Sequence, residues 1–327
     1  MTVSPSGCPE RPAPASDTAA PQPLRAAPPP RPTPAQERWA LRLFSALAPR
    51  TGSAAPPPPP ERLAPWENVS VPRPDRGGHL SATWYPLPGP GEGTAGTADS
   101  TTSPTTAARG AVLLLPPWLE WGRTYFHRRR RLERLRAAGY HALTVDLPGF
   151  GDSGPARGFY DRDVTDALAE LARRAPDLPL FLWGVSSGGY WSHMALSGDA
   201  GRRATGGRPV RAAMFEDVSP HLIEWASHTT PVGRPFHYLF RTLFPVAFRF
   251  MDLRLHASAL PLDAVAYVSG EADPGIPPGD TRELAQRAGG EAVVVPGVGH
   301  LQAIKRANDR VLDLALETFE EAVEPRP

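Results

Sequence analysis

The chain has 327 residues, a formal net charge of +1 at pH 7 and one cysteine, Cys8. That balance gives no global field to draw nucleic acid or an acidic partner, and a lone cysteine excludes an internal disulfide. No run of 18 apolar residues is present for a membrane span, and the first thirty residues lack the apolar core of a secretory leader, so a cytoplasmic location is expected.

Residues 1–65 hold 18 of the 42 prolines, with runs at 28–30 and 56–60. Such a composition cannot bury a core and reads as a disordered tail. Within it, residues 35–48 carry Trp39, Leu43 and Leu47 at four-residue spacing, which predicts a short amphipathic helix, docked or free. Residues 66–327 are then expected to form the folded domain. Segments 67–73 and 79–87 read as two early strands, and the low-complexity stretch 88–108 as a flexible loop.

A regular alternation follows. Apolar strands are expected at 111–115, 140–145, 180–183, 210–216, 265–268 and 293–295, with helices at about 123–138, 161–174, 280–288 and 301–323. The basic run Arg128–Arg131 reads as a solvated helix face rather than a nucleic-acid patch. Residues 219–262 break the rhythm with a dense set of aromatics. Alternating strands and helices imply right-handed crossovers and a mostly parallel sheet covered on both faces, with ligands at the carboxyl ends of the strands.

The stretch 178–190, LPLFLWGVSSGGY, joins an apolar strand to a helix through Gly184-Val185-Ser186-Ser187-Gly188. A serine on such a sharp turn projects its hydroxyl above the sheet edge, and glycines two before and two after it relieve the crowding. Choosing Ser187 instead would put Val185 at a crowded position, so Ser186 is the expected nucleophile. A serine hydroxyl needs a base, and the base a carboxylate to orient it. Of nine histidines, only His300 directly follows a strand, in the turn PGVGH. Asp273, in GEADPGIP, is the expected acid, with Asp217 and Glu271 as alternatives. His79, His127, His141 and His193 read as structural, whereas His221, His228, His237 and His256 could meet substrate. Oxyanion donors are expected at the N–H of Ser187 and, because Pro116 and Pro117 have none, at Trp118 or Leu119.

With GVSSGG at 184–189, DLPGFGDSG at 146–154, GEADPGIP at 270–277 and PGVGH at 296–300, in this order, residues 67–323 resemble the α/β-hydrolase family. The resemblance implies a Ser186–Asp273–His300 triad, an oxyanion hole at Trp118 and Ser187, a structural Asp146, and a helical cap over the pocket at 219–262. Many members carry His-Gly where this chain has Pro116-Pro117, which makes the loop stiffer. The expected activity is hydrolysis of an ester or thioester with an apolar or aromatic acyl group, through an acyl-enzyme on Ser186. Trp121, Trp225, Phe236 and Phe240 are candidate pocket residues, although such aromatics equally serve to pack the insertion. The partner is a small-molecule substrate; no cofactor, metal or nucleic acid is implied, and oligomeric state is not legible. The alternatives are amide or proline-iminopeptidase-like hydrolysis on the same triad, and a non-catalytic binding protein on the same fold.

Overall fold

The computed structural model describes residues 28–47, 56–88, 108–118, 122–230 and 232–323. In chain order these form α1 (Pro34–Leu47), β1 (Glu67–Pro72), β2 (His79–Tyr85), β3 (Gly110–Leu115), α2 (Arg131–Ala137), β4 (Tyr140–Val145), α3 (Asp161–Arg174), β5 (Leu180–Val185), α4 (Ser187–Ser197), α5 (Asp199–Ala204) and β6 (Val210–Glu216). There follow α6 (Leu222–Thr229), α7 (Gly233–Leu243), α8 (Pro245–Phe250), β7 (Ala264–Gly270), α9 (Pro278–Ala288), β8 (Glu291–Val295), α10 (Ala303–Arg306) and α11 (Asn308–Val323). No helix among the described residues is long and apolar enough to cross a membrane.

The strands make one eight-stranded sheet in the order β1-β2-β4-β3-β5-β6-β7-β8. The β1–β2 and β2–β4 pairs are antiparallel, and every pair from β4 to β8 is parallel. Central strands are buried on both faces, as β-branched and aliphatic runs such as Gly110–Leu115 require. Alternate residues serve opposite layers. Leu113 and Leu182 join Leu168, Leu171, Trp191 and Met194 under α3 and α4. Val112, Leu114, Phe181 and Trp183 join Leu132, Leu135, Leu312 and Phe319 under α2 and α11. Each fully buried side chain of this size contributes roughly 1.5–3 kcal/mol, so the two layers fix the sheet on which the strand-end loops sit.

Three expectations need correction. The run 123–138 is not one helix: residues 122–130 coil as a 3₁₀ segment, and Arg128 is extended while Arg129 and Arg130 lie in the left-handed region before α2 begins. Arg128, Arg129 and Arg130 are exposed, but Arg131 is fully buried in a two-pronged ion pair with Glu216, at 2.7 and 3.0 Å. Its guanidinium also stacks over Trp183, and its Nε donates to Asn308, so the charge is fully partnered. The final helix is likewise two, broken at Ala307.

Part of the proline-rich region is packed. In α1 the inward face is Glu37, Ala40 and Leu41, while Trp39 stands 60% exposed, so the four-residue spacing of Trp39 and Leu43 does not mark the buried stripe. Small Ala40 permits close approach to the body beside α8. Arg31 clamps this segment down: it bridges Glu37 and Asp161, the first residue of α3, and its guanidinium lies 5.3 Å over the Phe250 ring. Of the loop predicted at 88–108, residues 89–107 lie outside the described residues.

Candidate active site

Four parallel strands deliver their following residues to one edge. Ser186 follows β5, Asp217 follows β6, Asp273 comes three residues after β7, and His300 five after β8. Ser186 takes φ 50° and ψ −118°, a conformation that costs a non-glycine residue energy and that the surrounding packing must hold. Its N–H donates to Glu216 O at 2.7 Å, and its C=O accepts from Tyr190, which ties the turn to β6 on one side and to α4 on the other. The glycines are there for clearance: a Cβ on Gly184 would strike Gly189, and a Cβ on Gly188 would strike the carbonyls of Leu115 and Pro116. Every residue of α4 is buried, so the elbow has a rigid backing.

Ser186 Oγ lies 3.0 Å from His300 Nε2, and His300 Nδ1 lies 2.6 Å from Asp273 Oδ2. The other Asp273 oxygen accepts the Gly275 N–H at 2.8 Å, which orients the carboxylate. The Asp273 side chain is fully buried; the imidazole keeps a partly open edge. Burial by itself would lower the pKa of His300, but the hydrogen bond its ring donates to Asp273 and the fields of Asp217, Asp273 and Glu216 outweigh it and raise the pKa above 6.5. The arrangement can therefore take a proton from Ser186 and hold the resulting imidazolium.

A second carboxylate faces the same imidazole. One ligating atom from each of Asp217, Asp273 and His300 lies within 4.8 Å of the others. Asp217, itself at φ 52°, accepts from Leu301 N at 2.9 Å and from Gly270 N at 3.3 Å. Burial, with Glu216 beside it, holds its carboxyl well above the usual carboxylate range. The sequence offered Asp217 only as an alternative acid. Its hold on the loop carrying His300 depends on a cross-strand approach that spacing does not reveal. Asp273 bonds the imidazole, Asp217 bonds the backbone, and His300 Nε2 faces Ser186.

The loop after β3 reaches the start of α4, because Gly188 leaves room for the Leu115 and Pro116 carbonyls. Ser187 opens that helix, where the first-turn N–H groups have no partner within the helix and the dipole favours negative charge. Trp118 follows Pro116-Pro117 at the same edge, half buried, its ring edge-on to Phe150 at 5.8 Å. Leu119 and Trp121 lie outside the described residues. Asp146 braces this loop, accepting the Arg123 N–H at 2.8 Å; burial raises its pKa to about 6. Ser153 completes the turn, donating to Asp146 O and accepting the Ser81 N–H, both at 2.8 Å.

Of the aromatic candidates, Trp225 on α6 lies beside the site, its ring 5.8 Å from that of His300. It packs on Gly275, where a Cβ would collide with the indole. The rings of Phe236 and Phe240 on α7 pack against each other, and Phe240 against Phe244 and Phe248, so they build the core of the insertion. The insertion histidines divide similarly. His221 caps α6 by accepting the Ile223 N–H and bonds Phe248 O, and His256 bonds Ser197 and Phe250 O. His237 rests against Phe248. His193 is fully buried beside Phe215 and Tyr267.

The fold is shared with known enzymes. An esterase of Pyrococcus furiosus superposes with a TM-score of 0.61 at 15% identity, over 84% of this chain and 97% of that one. A highly thermostable carboxyl esterase from Bacillus coagulans gives 0.55 at 15% identity, over 79% and 99%. A puromycin-hydrolyzing peptidase of Mycobacterium tuberculosis gives 0.57 at 17% identity over 83% of this chain, which spans only 41% of that longer protein. A search of curated protein sequences finds no match. At these identities the likeness speaks for the fold, but a sequence model described as "Alpha/beta hydrolase family" matches residues 110–314, from the first residue of β3 into α11, and with well over half of its length accounted for the chain belongs to the alpha/beta hydrolase family.

Proposed function

We propose that the protein is a serine hydrolase of carboxylic esters or thioesters, acting through an acyl-enzyme on Ser186. The observation that carries this reading is the continuous chain from Ser186 Oγ to His300 at 3.0 Å and on to Asp273 at 2.6 Å, mounted on a strained elbow. His300 Nε2 takes the serine proton as Oγ attacks the substrate carbonyl. The N–H groups of Ser187 and Trp118 receive the developing oxyanion, and loss of one such donor typically costs roughly 10²–10³ in rate. The imidazolium then protonates the leaving alcohol or thiol. Water, deprotonated by the same imidazole, attacks the acyl-enzyme and releases the acid. Trp225 beside His300 supplies an apolar wall, which favours an apolar or aromatic acyl group.

Fluorophosphonate labelling of the purified protein tests the nucleophile. Labelling is expected at Ser186, absent in Ser186→Ala and strongly slowed in His300→Ala. A panel of p-nitrophenyl esters of rising chain length then tests the acyl preference. An unlabelled wild type that is folded by circular dichroism would sink the reading.

A further inference from the structure

The insertion presents an outer surface with no role in the Ser186–His300–Asp273 set. In α7 the inward side chains are Phe236 and Phe240. Positions spaced three and four residues apart share a helix face, so Pro235, Leu239, Thr242 and Leu243 make one outward row, and Arg234, Tyr238 and Arg241 the row beside it. All seven are exposed: Tyr238 by 74%, Leu243 by 57% and Leu239 by 46%. Val246, at the start of α8, is a further exposed apolar side chain just beyond the end of α7. A surface monomer has no packing reason to hold these large apolar side chains in water next to one another.

The charge along this stretch of chain has one sign. Residues 225–251 contain Arg234, Arg241 and Arg249 and no aspartate or glutamate. All three arginines are exposed, and none pairs with a carboxylate among the described residues. The acids that flank the stretch, Glu224 and Asp252, are both engaged by Arg254.

We propose that this face of α7, with Val246 of α8, docks on an anionic lipid surface. An apolar row bordered by arginines is the pattern of a helix lying in the plane of a membrane interface. The leucines enter the acyl boundary, and the arginine stems run along the apolar surface while their heads meet phosphate groups. Aromatic Tyr238 suits the headgroup level, being apolar in body and polar at its tip. Attraction to anionic headgroups matches the unpaired positive charge. A second copy of the chain is the poorer occupant, because a two-fold contact through this face would oppose arginine to arginine.

Vesicle co-sedimentation of the full chain tests the proposal, using phosphatidylcholine vesicles with and without phosphatidylglycerol at low and high salt. The protein is expected to bind the phosphatidylglycerol-containing vesicles, to bind phosphatidylcholine alone far more weakly, and to be released by salt. Replacing Arg234, Arg241 and Arg249 by Gln weakens binding by roughly fivefold per arginine. Leu239→Glu with Leu243→Glu weakens it by at least about tenfold for each leucine. Both variants keep the wild-type circular dichroism and hydrolyse a water-soluble ester as the wild type does, so failure of the hydrolase reading and failure of this one are separable. Absence of wild-type binding to anionic vesicles would overturn the proposal, as would binding that neither variant weakens. A dimer in analytical ultracentrifugation that the leucine variant dissociates, with no vesicle binding, would assign the face to a second copy instead.

Discussion

The Asp217 carboxylate accepts the backbone N–H of Leu301, the residue after His300, at 2.9 Å, and thereby fixes the loop that carries the imidazole. Leu301 sits at φ 55°, a strained position for a leucine, and this hydrogen bond helps hold it there. The same carboxylate lies close enough to His300 to favour its protonated form. Asp217→Asn keeps an acceptor oxygen but removes the charge. Its acidic limb in kcat/KM is expected to move to lower pH, because a neutral neighbour no longer favours imidazolium. Asp217→Ala takes the acceptor from the buried Gly270 N–H and the partly buried Leu301 N–H and is expected to cost about 1–3 kcal/mol of stability. Urea unfolding of both variants, beside their pH profiles, separates charge from scaffold. An Asn variant with an unshifted limb would leave Asp217 with a purely structural role.

The wild-type pH profile has a predictable sign. Burial opposes charge on His300, but Asp273, Asp217 and Glu216 raise its pKa above 6.5. A general base must be neutral, so activity is lost as pH falls through that raised value, and the midpoint of the acidic limb is expected above 6.5. Stability runs the other way. A raised folded-state pKa favours the protonated fold, so this contribution is complete below about 6.5 and disappears as pH rises through the folded value. Measured kcat/KM from pH 5 to 9 checks the first statement; a midpoint below about 6.5 contradicts it.

Gly188 couples α4 to the loop after β3. A Cβ there would strike the Leu115 and Pro116 carbonyls, which are backbone atoms with no rotamer to yield. Gly188→Ala is expected to cost about 1–3 kcal/mol in stability. If the pushed loop displaces the Trp118 N–H, kcat falls by roughly 10²–10³ as well. The paired measurement is urea unfolding and kcat on a p-nitrophenyl ester. Wild-type values in both would mean that the loop moves freely and is no part of the oxyanion site.

How far the sequence could be read follows from how local each feature is. All eight strands and the elbow at Ser186 were legible, because apolar runs and glycine spacing are properties of neighbouring residues. The meeting of His300 and Asp273 with Ser186 was legible because parallel strands send the residues that follow them to one edge. The burial of Arg131 was not: its partner Glu216 lies 85 residues away, and a run of four arginines looks uniformly solvated until the backbone kink at Arg129 and Arg130 turns one of them inward. Trp39 misled for a related reason. A helix docking through a small residue, Ala40, can leave its largest apolar side chain outside. The part played by Asp217 depends on β6, β7 and the His300 loop meeting, which no spacing encodes.

The clamp at Arg31 gives the segment before β1 a role in stability. Arg31 joins Glu37 of α1 to Asp161 of α3, and both carboxylates are nearly buried. Arg31→Ala leaves two such acids facing each other without their shared cation, and about 1–3 kcal/mol of destabilisation is expected. Arg31→Lys recovers only part of this, since an ammonium cannot make the two-pronged contact with Asp161. Removing residues 1–55 goes further, uncovering the surface under Ala40 and Leu41 and one face of Phe250, yet it keeps Ser186, Asp273 and His300 in the chain. The truncated protein is therefore expected to hydrolyse a soluble ester with a kcat near that of the full chain while melting at a lower temperature. A thermal shift assay and initial rates on the same samples decide the matter. Unchanged melting would mean that α1 rests on the body without stabilising it, and a collapse of kcat at a temperature where the truncated fold persists would mean that α1 shapes the site through α8.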